Sequence, residues 1–119
     1  MKSVGSINPK VIADLRALES AASPGFLVEL IDLFLKEAGI LVSKLRESLA
    51  AKDAPAFERS AHTLKGSCGN LGAQAMSRMC ADLQTVGHAA DWTRAAELLP
   101  PLDEEFKAVC RELEAEKTR

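Results

Sequence analysis

The sequence predicts an all-α protein, an antiparallel up-down-up-down four-helix bundle with a short additional helix at its amino terminus. Three observations predict it. Alanine, leucine and glutamate are plentiful and β-branched runs are absent, so intrinsic preference favours helix over sheet. Apolar residues recur at steps of three and four, the spacing of buried helical stripes. Brief breaks marked by Pro, Gly and Asp separate the stripes, and short loops place consecutive helices side by side and antiparallel.

Residues 1–7 carry no signal and are expected to be loose. Asn8-Pro9 reads as an N-cap and first helical position, opening a short helix through about Leu18 that caps one end of the bundle. Val11, Ile12, Leu15 and Leu18 give it one apolar side. Residues 19–22 are a connector, and Ser23-Pro24 reads as a second cap-plus-proline start. The helix it opens is the longest, with a stripe of Leu27, Leu30, Ile31, Phe34, Ala38, Leu41, Leu45 and Leu49 and no breaker before Lys52. Gly39 lies inside it as a candidate for close helix packing. Asp53 caps the third helix, Pro55 sits in its first turn and Gly72 stops it. The fourth runs from about Ala73 to Val86, with Met76, Met79, Cys80, Leu83 and Val86 facing inward and Gly87 to Ala90 as a short connection. Asp91 caps the fifth, whose stripe is Ala95, Leu98, Leu99, Leu102, Phe106, Val109 and Leu113. Pro100-Pro101 removes two backbone donors within it, yet the stripe keeps phase across them, so one bent helix is expected.

A chain of 119 residues suits one domain, with the bundle spanning about 24–115. The composition is 47% hydrophobic and 27% charged, with net charge −2, and no Lys/Arg stripe interleaved with aromatics marks a nucleic-acid interface. Glu29, Asp32, Lys36 and Glu37 interrupt the most hydrophobic helix, so no membrane insertion is expected. Met1 to Lys10 lacks the apolar run of a secretion signal, and a cytoplasmic location follows as the expectation. The three cysteines each fall in an apolar helical pattern and no CxxC or HxxxH pair exists, so they read as reduced core residues. A monomer is expected, because no wholly apolar surface is evident.

The third helix carries the functional signal. Phe57, Ala61, Leu64, Cys68 and Leu71 form its buried stripe. His62 then lies roughly 140° from the centre of that stripe, on the solvent side. Gly66 and Gly69 lie on or near the same outer face, and each costs a helix interior about 1 kcal/mol relative to alanine. Lys65, at i+3 from His62, places an ammonium beside whatever the imidazole holds, and Gly66, at i+4, removes a side chain from above the ring. An exposed imidazole with a nearby cation and a cleared approach suits a nucleophile that accepts an anionic group such as a phosphoryl. The chain has no GxxxxGK[ST] phosphate loop, no carboxylate cluster for Mg²⁺ and no nucleophile turn around Ser60 or Ser67. No cofactor of its own is expected, and a phosphoryl donor must bring the metal.

His62-Thr63-Leu64-Lys65-Gly66-Ser67-Cys68, followed by Leu71-Gly72-Ala73, resembles the signature of the histidine-containing phosphotransfer (HPt) domains of two-component phosphorelays. Cys80-Ala81-Asp82-Leu83-Gln84 resembles the Cys-x-x-Leu-Glu tract on that family's next helix. The motif covers about 25 residues, and the helix lengths agree from roughly residue 24 to 115. The resemblance implies a phosphoryl carrier, not an ATP-binding kinase, with response-regulator receiver domains or a hybrid sensor histidine kinase as partners and Mg²⁺ on the receiver. It implies that His62 accepts the phosphoryl group, Lys65 helps neutralise it and Gly66 leaves room for it. It also implies that Gln84 hydrogen-bonds the imidazole, accepting from Nδ1–H and leaving Nε2 free to attack. Ser67 and Asn70 match the motif too, and a polar helix surface explains them equally well. His88 has no matching role. The partner surface is expected to surround His62 and draw on the third, fourth and first helices; Glu58 and Arg59, one turn before His62, read as a solvated face, with tuning of partner choice as the alternative. The alternative from another class is a phosphorylation-independent domain that binds a receiver or kinase as a regulator.

Overall fold

Five α-helices follow one another: α1 (Pro9–Ala17), α2 (Phe26–Ala51), α3 (Ala54–Asn70), α4 (Gln74–His88) and α5 (Trp92–Lys117). The structure is a computed structural model, which describes residues 5–19 and 23–119. Among these residues there is no strand. Three of the expected caps form. The Asn8 side chain accepts from Lys10 N–H at 2.9 Å, Asp53 from Ala56 N–H at 3.2 Å and Asp91 from Arg94 N–H at 3.1 Å. Each meets one of the donors a helix start leaves without an intrahelical partner.

The start of α2 differs from the expected cap at Ser23. Gly25, at φ 78°, turns the chain in a conformation that L side chains rarely adopt, and the helix begins one residue later at Phe26. The Glu19 carboxylate reaches across and accepts from Leu27 N–H at 2.8 Å, so the connector supplies the cap. The rest of that connector, residues 20–22, lies outside the described residues.

Consecutive helices pack as neighbours, and α5 closes the ring against α2. Their inner stripes meet in one core, where Ile31, Leu45, Phe57, Leu64, Met76, Leu83, Leu102 and Leu113 are all closed to solvent. Val42 and Ser48 join the buried face of α2, and Leu30, Leu41 and Leu49 lie half-buried at its edges. Pro100 and Pro101 sit inside an unbroken α5. Both are exposed, as are Ala96 and Glu97, whose carbonyls lose their partners to the prolines, so water can satisfy them.

The short α1 closes one end of the bundle. Asn8 N–H donates to the Gly72 carbonyl at 2.9 Å, and Ile7 and Ile12 enter the core. Ser6 and Ile7 donate their backbone N–H to the Glu112 carboxylate of α5 at 2.8 and 2.9 Å. Residues 5–7 are therefore held rather than loose. Leu18 is not part of the apolar side expected of it, because α1 ends at Ala17 and leaves this residue 66% exposed.

Glycine roles were partly exchanged. A Cβ at Gly39 would meet nothing within 4 Å, so that glycine marks no close packing. Gly87 was expected in a loop; it is buried in the last turn of α4. A Cβ there would come within 2.5 Å of Phe57 Cδ1, so the absent side chain lets α4 seat against the ring. The Phe57 ring is also met edge-on by Trp92, with centroids 5.6 Å apart.

The cysteines carry free thiols, with Cys68 and Cys80 buried and Cys110 half-buried. The hydrogen bond to Cys80, and then burial, hold the Cys68 thiol above its ordinary range and keep it protonated. No described helix is long and apolar enough to cross a membrane.

Candidate functional site

The rotation of α3 fixes the site. Phe57, Ala61, Leu64 and Cys68 are each closed to solvent, and at ~100° per residue this turns His62 and Gly66 outward. The helix is pinned at both ends. Asp53 N–H bonds to the Ser48 carbonyl at 2.9 Å across the tight turn from α2, with Lys52 at φ 53°. At the far end Ala73 N–H bonds to the Cys68 carbonyl at 2.8 Å. A side-chain bond then locks α3 to α4, where the Ser77 hydroxyl donates to the Lys65 carbonyl at 3.0 Å.

His62 is exposed and lines a shallow hollow with Pro55, Glu58, Arg59 and Gln84. Gln84, from α4, lines the same hollow as the imidazole. The hydrogen bond expected between them is not among those the described residues make, so the two are adjacent and unjoined. Two exposed or half-exposed side chains across an open hollow have water as a competing partner, which leaves that bond free to form or break. Lys65 is half-buried on the same helix, one turn beyond His62. A Cβ at Gly66 would meet nothing within 4 Å, so the approach to the ring is open there. Gly69 is different, since a Cβ there would reach ordinary contact with Ser77 Oγ at 4.0 Å. It borders the α4 seam.

Among the described residues no group of three or more His, Cys, Asp or Glu side chains is placed to hold a metal ion. Ser67 and Asn70 stand away from His62, in a hollow with Leu30, Leu33, Phe34, Glu37 and Leu71 on the α2 side. Met76 is buried and Met79 half-buried, so both serve the core rather than the surface.

Two features escaped the sequence reading. His88 is the last residue of α4 rather than a loop residue, and its Nδ1 lies 3.2 and 3.3 Å from the two carboxylate oxygens of Glu58. The signal was present in the offsets, since Glu58 precedes His62 by four residues and His88 follows Gln84 by four. Leu33 and Ile40 on α2 are 53% and 48% exposed, two of the three large exposed hydrophobics among the described residues. Leu33 lies at the flank of α3, where it lines the hollow with Ser67 and Asn70. Reading only the buried stripe of α2 concealed Leu33 and Ile40.

An outward histidine on a pinned helix, with a cation one turn away and an open approach, defines a surface carrier of a small anionic group rather than an enclosed active site. The chain belongs to the Hpt domain family, whose model matches residues 29–116. Histidine-containing phosphotransfer protein 2 of Arabidopsis thaliana is 27% identical over 104 residues, covering 85% of this chain and 67% of that protein. A 65-residue stretch is 35% identical to pseudo histidine-containing phosphotransfer protein 1 of Oryza sativa subsp. japonica, covering 53% of this chain and 35% of that one. Among solved structures, histidine-containing phosphotransfer protein B of Pseudomonas aeruginosa PAO1 superposes with a TM-score of 0.88 at 26% identity, over 98% of each chain. Histidine phosphotransfer in a phosphorelay is the function these similarities support.

Proposed function

We propose that His62 is the residue that carries the phosphoryl group, and that receiver-domain aspartates give and take it. Nε2 attacks the phosphorus of an aspartyl phosphate, the N–P bond forming as the O–P bond breaks and the aspartate leaves as a carboxylate. Nδ1 keeps its proton throughout, and Gln84, placed beside the ring, accepts from it when the hollow closes under a partner. Lys65 lies one turn away and offsets the growing charge on the phosphoryl oxygens. Gly66 supplies the clearance. Any Mg²⁺ that neutralises the transferring group belongs to the receiver in this reading.

One observation carries the proposal. The outward turn of His62 is enforced by four wholly buried neighbours on the same helix, so the imidazole is presented to a partner rather than to the core. The partner covers His62 and, on the α2 side, the exposed Leu33 and Ile40, which gives α2 a share of the surface expected of α4 and α1. The chain acts as a single copy in this step.

The test uses a receiver domain phosphorylated with labelled acetyl phosphate. The expected result is rapid transfer of acid-labile, base-stable label to the chain and onward to a second receiver. A chain that takes no such label from any receiver of its own organism contradicts the proposal.

A further inference from the structure

The seam between α3 and α4 holds a hydrogen-bonded histidine–glutamate pair that the reaction described above leaves without a role. His88 donates from Nδ1 to the Glu58 carboxylate, and because a carboxylate only accepts, Nδ1 carries the proton whether the ring is neutral or cationic. Residues four apart on a helix are surface neighbours, so Glu58 adjoins His62 on α3 and His88 adjoins Gln84 on α4. The two pairs occupy successive levels of one antiparallel seam. The hollow beside His62 and the hollow beside His88 share Glu58 and Gln84 as lining residues. Glu58 is thus placed between two histidines, and it is His88 that engages it.

That choice matters once His62 is phosphorylated. Like charges one turn apart on a helix repel each other, and a free Glu58 carboxylate would oppose the phosphoryl group. It would also compete with that group for Arg59, which lines the same hollow, and take the place of Gln84 at Nδ1.

We propose that His88 is a positioning residue for phosphotransfer: it holds the Glu58 carboxylate at its own end of the seam and so keeps it from opposing the phosphoryl group on His62. The inference rests on the carrier reading and adds a residue to it. Its reach is set by the pair's exposure, since the His88 side chain is 77% exposed and ion pairs of that kind act weakly.

The experiment measures the equilibrium share of phosphoryl between the chain and the receiver domain that labels it. Four forms are compared: wild type, His88→Ala, His88→Lys, and the double variant Glu58→Gln with His88→Ala. His88→Ala is expected to lower the chain's share about two- to fivefold, the size of effect one surface charge exerts. His88→Lys keeps a hydrogen-bond donor for Glu58 and is expected to restore the wild-type share, and so is the double variant, which removes the freed charge. A purely structural role for His88 would show in the unfolding midpoint and would not be rescued by removing Glu58's charge. An unchanged share in His88→Ala, or a double variant as low as His88→Ala, overturns the inference while leaving the carrier reading intact. A wild-type chain that labels neither from the receiver nor from phosphoramidate overturns the carrier reading itself.

Discussion

The two faces of α3 obey opposite rules. On the inner face Phe57, Ala61, Leu64 and Cys68 are closed to solvent and belong to the one core. On the outer face His62 is exposed and Gly66 borders open space. Inner residues are fixed by packing, where a lost methylene leaves a cavity. Outer residues contribute little to folding and are free to be chosen for what must approach them. Substitutions on the inner face should therefore lower stability, and those on the outer face should slow phosphotransfer without lowering it.

The largest stability effect should come from Leu64→Ala, a loss of about 2–5 kcal/mol in urea unfolding with transfer per folded molecule unchanged. A near-zero loss would mean that the inner face is not the core. Next comes a pair of identical substitutions with opposite signs. Gly87→Ala should cost about 1–3 kcal/mol, because the new Cβ would be driven into the Phe57 ring. Gly66→Ala should instead stabilise by about 0.5–1 kcal/mol, since the methyl meets nothing and alanine suits a helix better. The same variant should slow transfer from a phosphorylated receiver, measured under single-turnover conditions. If Gly66→Ala neither stabilises nor slows transfer, open space at that position has no functional meaning. Smallest is Lys65→Ala, expected to slow transfer several-fold, as befits a partly solvated charge, with the melting midpoint nearly unchanged. A lowered midpoint with normal kinetics would move Lys65 to the structural side.

These contrasts also show what a sequence carries legibly. Periodicity placed all five helices and oriented α3 correctly, because burial repeats every three or four residues and His62 falls off that repeat. Polar caps at Asn8, Asp53 and Asp91 were equally plain, since their hydrogen bonds are local. Contacts made across helices were not. Glycine reads the same whether it clears space, as Gly66 does, or is squeezed by a ring from the next helix, as Gly87 is. Only the packing of Phe57 distinguishes them. Gly25 took the helix start expected at Ser23-Pro24, because its positive φ and the Glu19 carboxylate made the start of α2. The placement of Gln84 beside His62 came from the family motif, and no spacing within α3 would have supplied it. The pair of Glu58 and His88 needed the register between two helices; the offsets of four from His62 and from Gln84 hint at it only once Gln84 is set beside His62.

The central claim is that the outward histidine of α3, and not the one engaged at the end of α4, bears the phosphoryl group. Labelling His62→Gln and His88→Gln side by side from one phosphorylated receiver tests it most directly. The expected result is complete loss of acid-labile label in His62→Gln and retention in His88→Gln, with both variants folded by circular dichroism. Label that persists in His62→Gln, or vanishes only with His88, would contradict it.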